Sequence, residues 1–278
     1  MTSYAEVIGD PIAHSKSPLI HQHWLTELGI AAEYRATRVQ RGALADYLQS
    51  RRSDPNWRGC NVTIPHKEAV LRHLDQVDER ASAIKAVNTV VPTADGLAGF
   101  NTDVDGVAAA LNGTKLAGRK VAVIGGGGAA RAALAYLSDQ NASEVVLLVR
   151  SPEKARKVAA VFDGKLLIGS FDDAIPLLDR AAAIINASPL GMTGCPQMPE
   201  QLLAAIAAQS AATRFDMVYS PLRTRFLAAG QGPAVDGLTM LVGQAARAFE
   251  LFFDKPAPRS DALRELLTQA SGANADNG

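Results

Sequence analysis

Three short polar clusters between residues 61 and 103 carry the side chains most able to do chemistry: N-V-T-I-P-H-K ending at Lys67, A-V-N-T containing Asn88, and G-F-N-T-D ending at Asp103. They supply a lysine, a carboxylate and several neutral hydrogen-bonding groups, the parts needed to hold a polyhydroxylated molecule and move one proton. Pro65 fits the first position of a helix, where a missing N–H costs nothing. That places Lys67 in the helix's first turn, where the macrodipole opposes a cation and partial burial would ease proton release near neutral pH. A solvated surface lysine is the other reading. Asp103 reads either as the N-cap of the helix that follows or, with Lys67, as half of an acid–base pair. Asn61, Thr63, Asn88 and Asn101 fall near strand ends, where open α/β sheets collect ligand groups. In H-S-K-S-P, Ser17 reads as the N-cap of a helix opened by Pro18, and Ser15 and Ser17 together also make a site for a carboxylate.

Further on, V-A-V-I-G-G-G-G-A-A-R places G-x-G-x-x-A at Gly125, Gly127 and Ala130, after a strand and opening a helix. In a dinucleotide site the first glycine makes the turn, the second admits the pyrophosphate, and the third small residue lets the helix pack closely. Four glycines can also form a plain flexible turn, but the flanking strand and helix favour the nucleotide. The next strand ends in V-R-S-P-E-K, with Arg150, Ser151 beside it and Lys154 a helical turn on, and no carboxylate before Glu153. An acid there would bond a ribose 2′-OH; a base meets a 2′-phosphate, so NADP is preferred. Solvated surface charges are the alternative for Arg150 and Lys154.

These groups need elements to position them. At 278 residues with 47% apolar content, the chain exceeds one ordinary core and suggests two domains. Periodicity gives strands over 4–8, 33–39, 59–64 and 88–91, with helices over 18–28, 43–50, from 65, and 105–111. A polar stretch, 112–119, marks the boundary. Strands over 121–124, 145–149, 165–168, 183–186 and 214–217 alternate with helices, and long helices follow over 238–253 and 261–269. The apolar run 145–149 suits a parallel strand buried on both faces. The small polar end, S-G-A-N-A-D-N-G, reads as frayed.

The 28 basic and 28 acidic residues cancel, leaving no electrostatic footprint for nucleic acid or anionic lipid. No basic leader precedes an apolar segment, and no apolar run spans a bilayer, so the chain reads as cytoplasmic. Cys60 and Cys195 suggest reduced thiols. All five histidines precede residue 75 without a ligand spacing, which argues against a metal.

The ordered motifs G-D-P-I-A-H-S-K-S-P, N-V-T-I-P-H-K, A-V-N-T, N-T-D, the glycine loop, N-A-S-P-L-G-M (186–192), D-M-V-Y-S-P-L (216–222) and G-L-T-M-L-V-G-Q-A-A (237–246) resemble shikimate dehydrogenases along nearly the whole chain. The resemblance implies reversible NADPH-dependent reduction of 3-dehydroshikimate to shikimate in aromatic amino-acid biosynthesis, by a monomer or a homodimer. It implies an α/β fold of two domains: a substrate-binding domain of residues 1–111 plus 238–278, and a Rossmann-like NADP domain of 112–237, with C-terminal helices returning to the first. By matched motif, Ser15 and Ser17 would bind the substrate carboxylate, and Thr63, Asn88, Tyr219 and Gln244 its hydroxyls or ring. Lys67 and Asp103 would be the catalytic pair. Gly125, Gly126, Gly127, Gly128 and Ala129 would hold pyrophosphate, Arg150, Ser151 and Lys154 the 2′-phosphate side, and Met217 and Gly237 the nicotinamide end. Glu79 would lie on the cofactor side.

Two departures qualify this transfer. The family's usual Asn-Arg-Thr at the second strand end is Val149-Arg150-Ser151 here, and the stretch 225–237 departs from the common form. Competing readings are a quinate/shikimate dehydrogenase of broader substrate or NAD use, a methylene-tetrahydrofolate dehydrogenase-like enzyme, and a non-catalytic ligand-binding module of the same fold. Arg150 argues against the first, the S-K-S-P and N-T-D elements against the second, and the joint presence of Lys67 and Asp103 against the third.

Overall fold

A computed structural model describes residues 2–272, apart from the side chains at 154, 156 and 157. Two compact units divide at 103/104 and 243/244, so that the first takes back Gln244–Leu263 and the second continues from Arg264.

The first unit is built on a mixed sheet of β1 (Ser3–Gly9), β2 (Ala32–Arg38), β3 (Trp57–Val62), β4 (Gln76–Val77), β5 (Thr89–Thr93) and β6 (Gly96–Phe100), in the order β2-β1-β3-β5-β6-β4. β1 runs parallel to β2 and β3, whereas β5 is antiparallel to both β3 and β6. The carboxyl ends of β1, β3 and β6 and the amino end of β5 therefore share one sheet edge. Tyr4, Ile8, Leu48, Trp57, Val90 and Leu97 belong to its core. Glu6 is 1% exposed within β1, and its carboxylate accepts Arg51 Nε at 2.7 Å and the Thr37 hydroxyl. Left unpaired there, it would cost several kcal/mol.

The second unit holds β7 (Lys120–Ile124), β8 (Glu144–Leu148), β9 (Lys165–Gly169), β10 (Ala183–Asn186), β11 (Thr213–Asp216) and β12 (Ala234–Val235), all parallel, in the order β12-β11-β10-β7-β8-β9. This is the doubly wound dinucleotide order, and it reverses between β7 and β10. Ile124, Val146, Leu148, Ile184, Leu202 and Phe226 share its core. The middles of β7, β8, β9 and β10 are apolar because helices cover both faces of such a fold.

Several expected elements change. The segment 76–100 contains β4, the helix Glu79–Ile84 and β6, none of which the periodicity indicated. G-L-A-G-F has two glycines and no β-branched residue, so propensity conceals β6; pairing with β5 makes the strand. At Gly96 φ is +120°, and an added Cβ would lie 2.1 Å from Asp75 Oδ2, an atom that accepts the Leu97 N–H at 2.7 Å. The helix Asp261–Gly272 extends past its expected end, with Ser271 Oγ donating to Leu267 O at 2.8 Å. The remainder of the end expected to fray, 273–278, lies outside the described residues.

Candidate active site

The three polar clusters meet at the shared edge of the first sheet. Register places Asn61 opposite Thr89 and Thr89 opposite Phe100, so the loops bearing Lys67, Asn88 and Asp103 lie side by side. Lys67 Nζ donates to Asp103 Oδ2 at 2.6 Å, and Asn88 Nδ2 donates to Asp103 Oδ1 at 2.9 Å. The Lys67 and Asp103 side chains remain 30% and 16% exposed, open enough to meet a ligand.

The helix expected from Pro65 does not form. Thr63 O instead accepts the His66 N–H at 2.9 Å, closing a turn that contains a cis Ile64–Pro65 bond, and a short 3-10 helix begins only at Ala69. The macrodipole therefore plays no part at Lys67. Tertiary pairing fixes it: the Val87 N–H donates to Lys67 O at 2.8 Å, holding that backbone beside Asn88, and the buried His66 ring bonds Val39 O at 2.6 Å. Asp103 begins the helix Asp103–Ala110, and both of its carboxylate oxygens serve side chains.

Asn88 is locked. Its Oδ1 accepts the Thr102 N–H at 2.8 Å, a group that can only donate, so its amide nitrogen must face Asp103. Asn101 and Asn61 are turned inward: Asn101 Nδ2 bonds Ala86 O and its Oδ1 accepts the Asp103 N–H, while Asn61 bonds Tyr34, Thr89 and the Asn88 carbonyl. Thr63 follows β3, its N–H donating to Ile8 O at 2.9 Å, with its methyl over Gly9, where an added Cβ would lie 2.6 Å away. Ser15 and Ser17 lie after β1. Ser15 Oγ accepts the Ser17 N–H at 3.3 Å, and Ser17 lies inside the helix Ser17–Glu27, whose N-cap is Lys16, so the N-cap reading of Ser17 fails. Gln244 is half-buried on the helix Gly237–Phe253.

In the second unit the glycine turn follows β7. Gly125 has φ +113°, and an added Cβ would lie 2.8 Å from Ala187 O, so the fold itself demands glycine. Gly127 and Gly128 differ: an added Cβ would meet nothing within 4 Å, and both are exposed at the start of the helix Gly128–Asp139. Nothing in the protein requires glycine there, whereas a pyrophosphate approaching the backbone N–H groups would. Gly126 lies between Gly125 and Gly127, and Ala129 follows in the helix's first turn. Arg150, past the end of β8, is exposed and has no hydrogen bond or ion pair among the described residues, with Ser151 half-buried beside it. The Lys154 side chain lies outside the described residues. These groups fit a dinucleotide with a 2′-phosphate.

Met217 and Tyr219 follow β11, and burial raises the Tyr219 phenol above its ordinary value, keeping it a donor. Gly237 packs beneath them, since an added Cβ would lie 2.5 Å from Met217 O. Behind this loop is a hub to which sequence reading assigned no role. Asp216 is fully buried; burial pushes its carboxyl up, against the Thr224 hydroxyl at 2.5 Å, the Val218 N–H at 3.0 Å and Asn186 Nδ2 at 2.9 Å. Asn186 Oδ1 in turn accepts Ser188 Oγ at 2.6 Å, so one cluster shapes the turns after β10 and β11. Its only sequence signal was a polar residue ending each of two strands, Asn186 and Asp216. Glu79 is exposed in the first unit, in the first turn of the helix Glu79–Ile84 behind the Asp78 cap, where an acid suits the helix without any ligand.

Among the described residues, no three His, Cys, Asp or Glu side chains gather as a metal would require, and no helix is long and apolar enough to cross a membrane. A parallel sheet reversing at a glycine turn, together with a unit that carries a lysine–carboxylate pair, defines the class: a two-unit α/β oxidoreductase of the nicotinamide-dependent kind. The chain matches the models of the shikimate dehydrogenase substrate-binding domain over residues 7–90, shikimate/quinate 5-dehydrogenase over 107–190, and the shikimate 5′-dehydrogenase C-terminal domain over 237–267. It is 47% identical over 270 residues, covering 95% of this chain and 96% of the other, to a Sphingopyxis alaskensis protein described as shikimate dehydrogenase (NADP(+)). Among solved structures, shikimate 5-dehydrogenase from Listeria monocytogenes with shikimate and NAD aligns at TM-score 0.87 and 30% identity, covering 96% of each chain. The Thermus thermophilus enzyme with NADP(H) and shikimate aligns at TM-score 0.83 and 34% identity, covering 96% of this chain and 99% of that one. The chain belongs to the shikimate dehydrogenase family.

Proposed function

We propose that this protein catalyses the reversible NADPH-dependent reduction of 3-dehydroshikimate to shikimate. The observation that carries this reading is the Lys67–Asp103–Asn88 cluster, an ammonium held at 2.6 Å by a carboxylate that is itself fixed. NADPH supplies the hydride when bound. Lys67 gives a proton to the carbonyl oxygen as it becomes an alkoxide, and Asp103 holds the ammonium in line and stabilises its charge. In the oxidative direction the same lysine takes the hydroxyl proton back.

Ser15 and Ser17 bind the substrate carboxylate, while Thr63, Asn88, Tyr219 and Gln244 meet its hydroxyls and ring. Gly125 to Ala129 cradle the pyrophosphate, Arg150, Ser151 and Lys154 serve the 2′-phosphate, and Met217 and Gly237 border the nicotinamide, with Glu79 on the cofactor side. Residues 1–111 with 238–278 serve the substrate and 112–237 the cofactor. We place the enzyme in the cytoplasm, as a monomer or a homodimer.

Steady-state rates with shikimate and quinate, each with NADP and NAD, test the reading. Shikimate with NADP is expected to give the highest kcat/KM. Preferred oxidation of quinate, or no turnover with any pair, would overturn it.

A further inference from the structure

A buried hydrogen-bond chain in the first unit runs from Tyr34 to Asp103. The Tyr34 hydroxyl donates to Asn61 Oδ1 at 2.5 Å, and Asn61 Nδ2 donates to Thr89 Oγ1 at 3.0 Å. Thr89 Oγ1 donates to Asn88 Oδ1 at 3.0 Å, and Asn88 Nδ2 to Asp103 Oδ1 at 2.9 Å. Tyr34, Asn61, Asn88 and Thr89 are each at most 6% exposed.

Two backbone groups settle its direction. The Asn88 carbonyl, which can only accept, takes Asn61 Nδ2 at 3.3 Å and so turns Asn61 Oδ1 toward Tyr34. The Thr102 N–H, which can only donate, takes Asn88 Oδ1 at 2.8 Å and turns that amide nitrogen toward Asp103. Neither amide can flip without setting donor against donor or acceptor against acceptor. Both amides therefore face so that the chain runs from Tyr34 toward the carboxylate, with the Thr89 hydroxyl between them 3.0 Å from Asn88 Oδ1 and 3.3 Å from Thr102 Oγ1. Asp103 receives a donor on each oxygen, the second being Lys67 Nζ.

We propose that Tyr34, Asn61 and Thr89 are positioning residues of the reaction: their directional chain holds Asp103 as an acceptor on both oxygens and thereby aims the Lys67 ammonium. This rests on the Lys67–Asp103 reading given above. The far end of the chain is anchored as well. His21 stacks on Tyr34 with ring centroids 4.0 Å apart and planes 6° apart, and burial keeps its imidazole neutral.

Steady-state kinetics of Thr89→Val, Thr89→Ser, Tyr34→Phe and Lys67→Ala, each checked for a cooperative thermal transition, test the proposal. Thr89→Val keeps the shape but removes the hydroxyl; it is expected to lower kcat about tenfold, below the ~10²-fold that gross misplacement costs, without raising KM for shikimate. Thr89→Ser keeps the hydroxyl and is expected to restore kcat. Tyr34→Phe removes the hydroxyl at the head of the chain and is expected to lower kcat without raising KM for shikimate. Wild-type kcat in both Thr89→Val and Tyr34→Phe, or equal losses in Thr89→Ser and Thr89→Val, would overturn the proposal. Lys67→Ala separates the layers: it is expected to lose ~10²-fold or more in kcat. Near-normal turnover in that variant sinks the catalytic pair itself, whereas its loss beside unaffected Thr89 and Tyr34 variants sinks only the positioning chain.

Discussion

Replacing Arg150 with Ala isolates cofactor selection from folding. Its guanidinium is exposed and has no hydrogen bond or ion pair among the described residues, so the substitution removes no internal interaction. Stability is expected to change by no more than about 0.5 kcal/mol. A hydrogen bond to a charged group contributes about 1.5–3 kcal/mol, which at about 1.4 kcal/mol per factor of ten corresponds to a ~10- to 150-fold rise in KM for NADPH. NADH has no 2′-phosphate, so its KM should stay near the wild-type value. Because the site is open to solvent, the NADPH effect should shrink as ionic strength rises. Arg150→Lys keeps the charge but loses the fork that meets two oxygens at once, and should fall between. Initial rates with both cofactors at two salt concentrations, alongside thermal unfolding, make the comparison. Equal rises in KM for NADPH and NADH would refute the assignment of Arg150 to the 2′-phosphate.

Two glycines in one turn should behave differently. Gly125→Ala forces a φ of +113° on alanine and brings its Cβ to 2.8 Å from Ala187 O, so it should unfold at lower temperature even without cofactor. Gly127 has φ −98° and open space around it, so Gly127→Ala should fold normally and lose NADPH affinity; an unchanged KM would contradict the pyrophosphate cradle. His21 gives a pH dependence of stability. Burial lowers its folded-state pKa from 6.5 to about 3, so between those values the unfolded chain binds the proton and the folded chain does not. Stability is then lost as pH falls below the unfolded value, by about 2 kcal/mol at pH 5 from a slope of about 1.4 kcal/mol per unit. Urea midpoints at pH 7.5 and 5 should converge in His21→Phe, and an undiminished difference would exclude this origin.

Much of the second unit was legible in the sequence. Most of its strands are short apolar runs and its glycine turn is contiguous, so local pattern and site coincide. Gly125 to Gly128 and Arg150 could be assigned because each occupies a set place along a strand–turn–helix. In the first unit the residue types were legible but their setting was not. Lys67 was assigned to a helix that does not exist, because Pro65 suits a helix start as well as it suits a turn, and only the pairing of Lys67 O with Val87 and the burial of His66 choose between them. β6 was invisible for a similar reason: G-L-A-G-F becomes a strand through its partner. Asp216 and Asn186 stood inside recognisable motifs, yet their mutual bond crosses between separate strand ends, and Thr224, which completes the cluster, lay outside those motifs.

The sequence by itself determined the chemistry this protein carries: a lysine, a carboxylate, a glycine turn and a basic residue at the second strand end, in an order that identifies the family. Only the tertiary structure decided how Lys67 and Asp103 come to face each other at 2.6 Å and which way the Asn61 and Asn88 amides behind them face. Those outcomes depend on strands far apart in the chain aligning at one sheet edge, and on two backbone groups, the Asn88 carbonyl and the Thr102 N–H, that can each bond in one sense only.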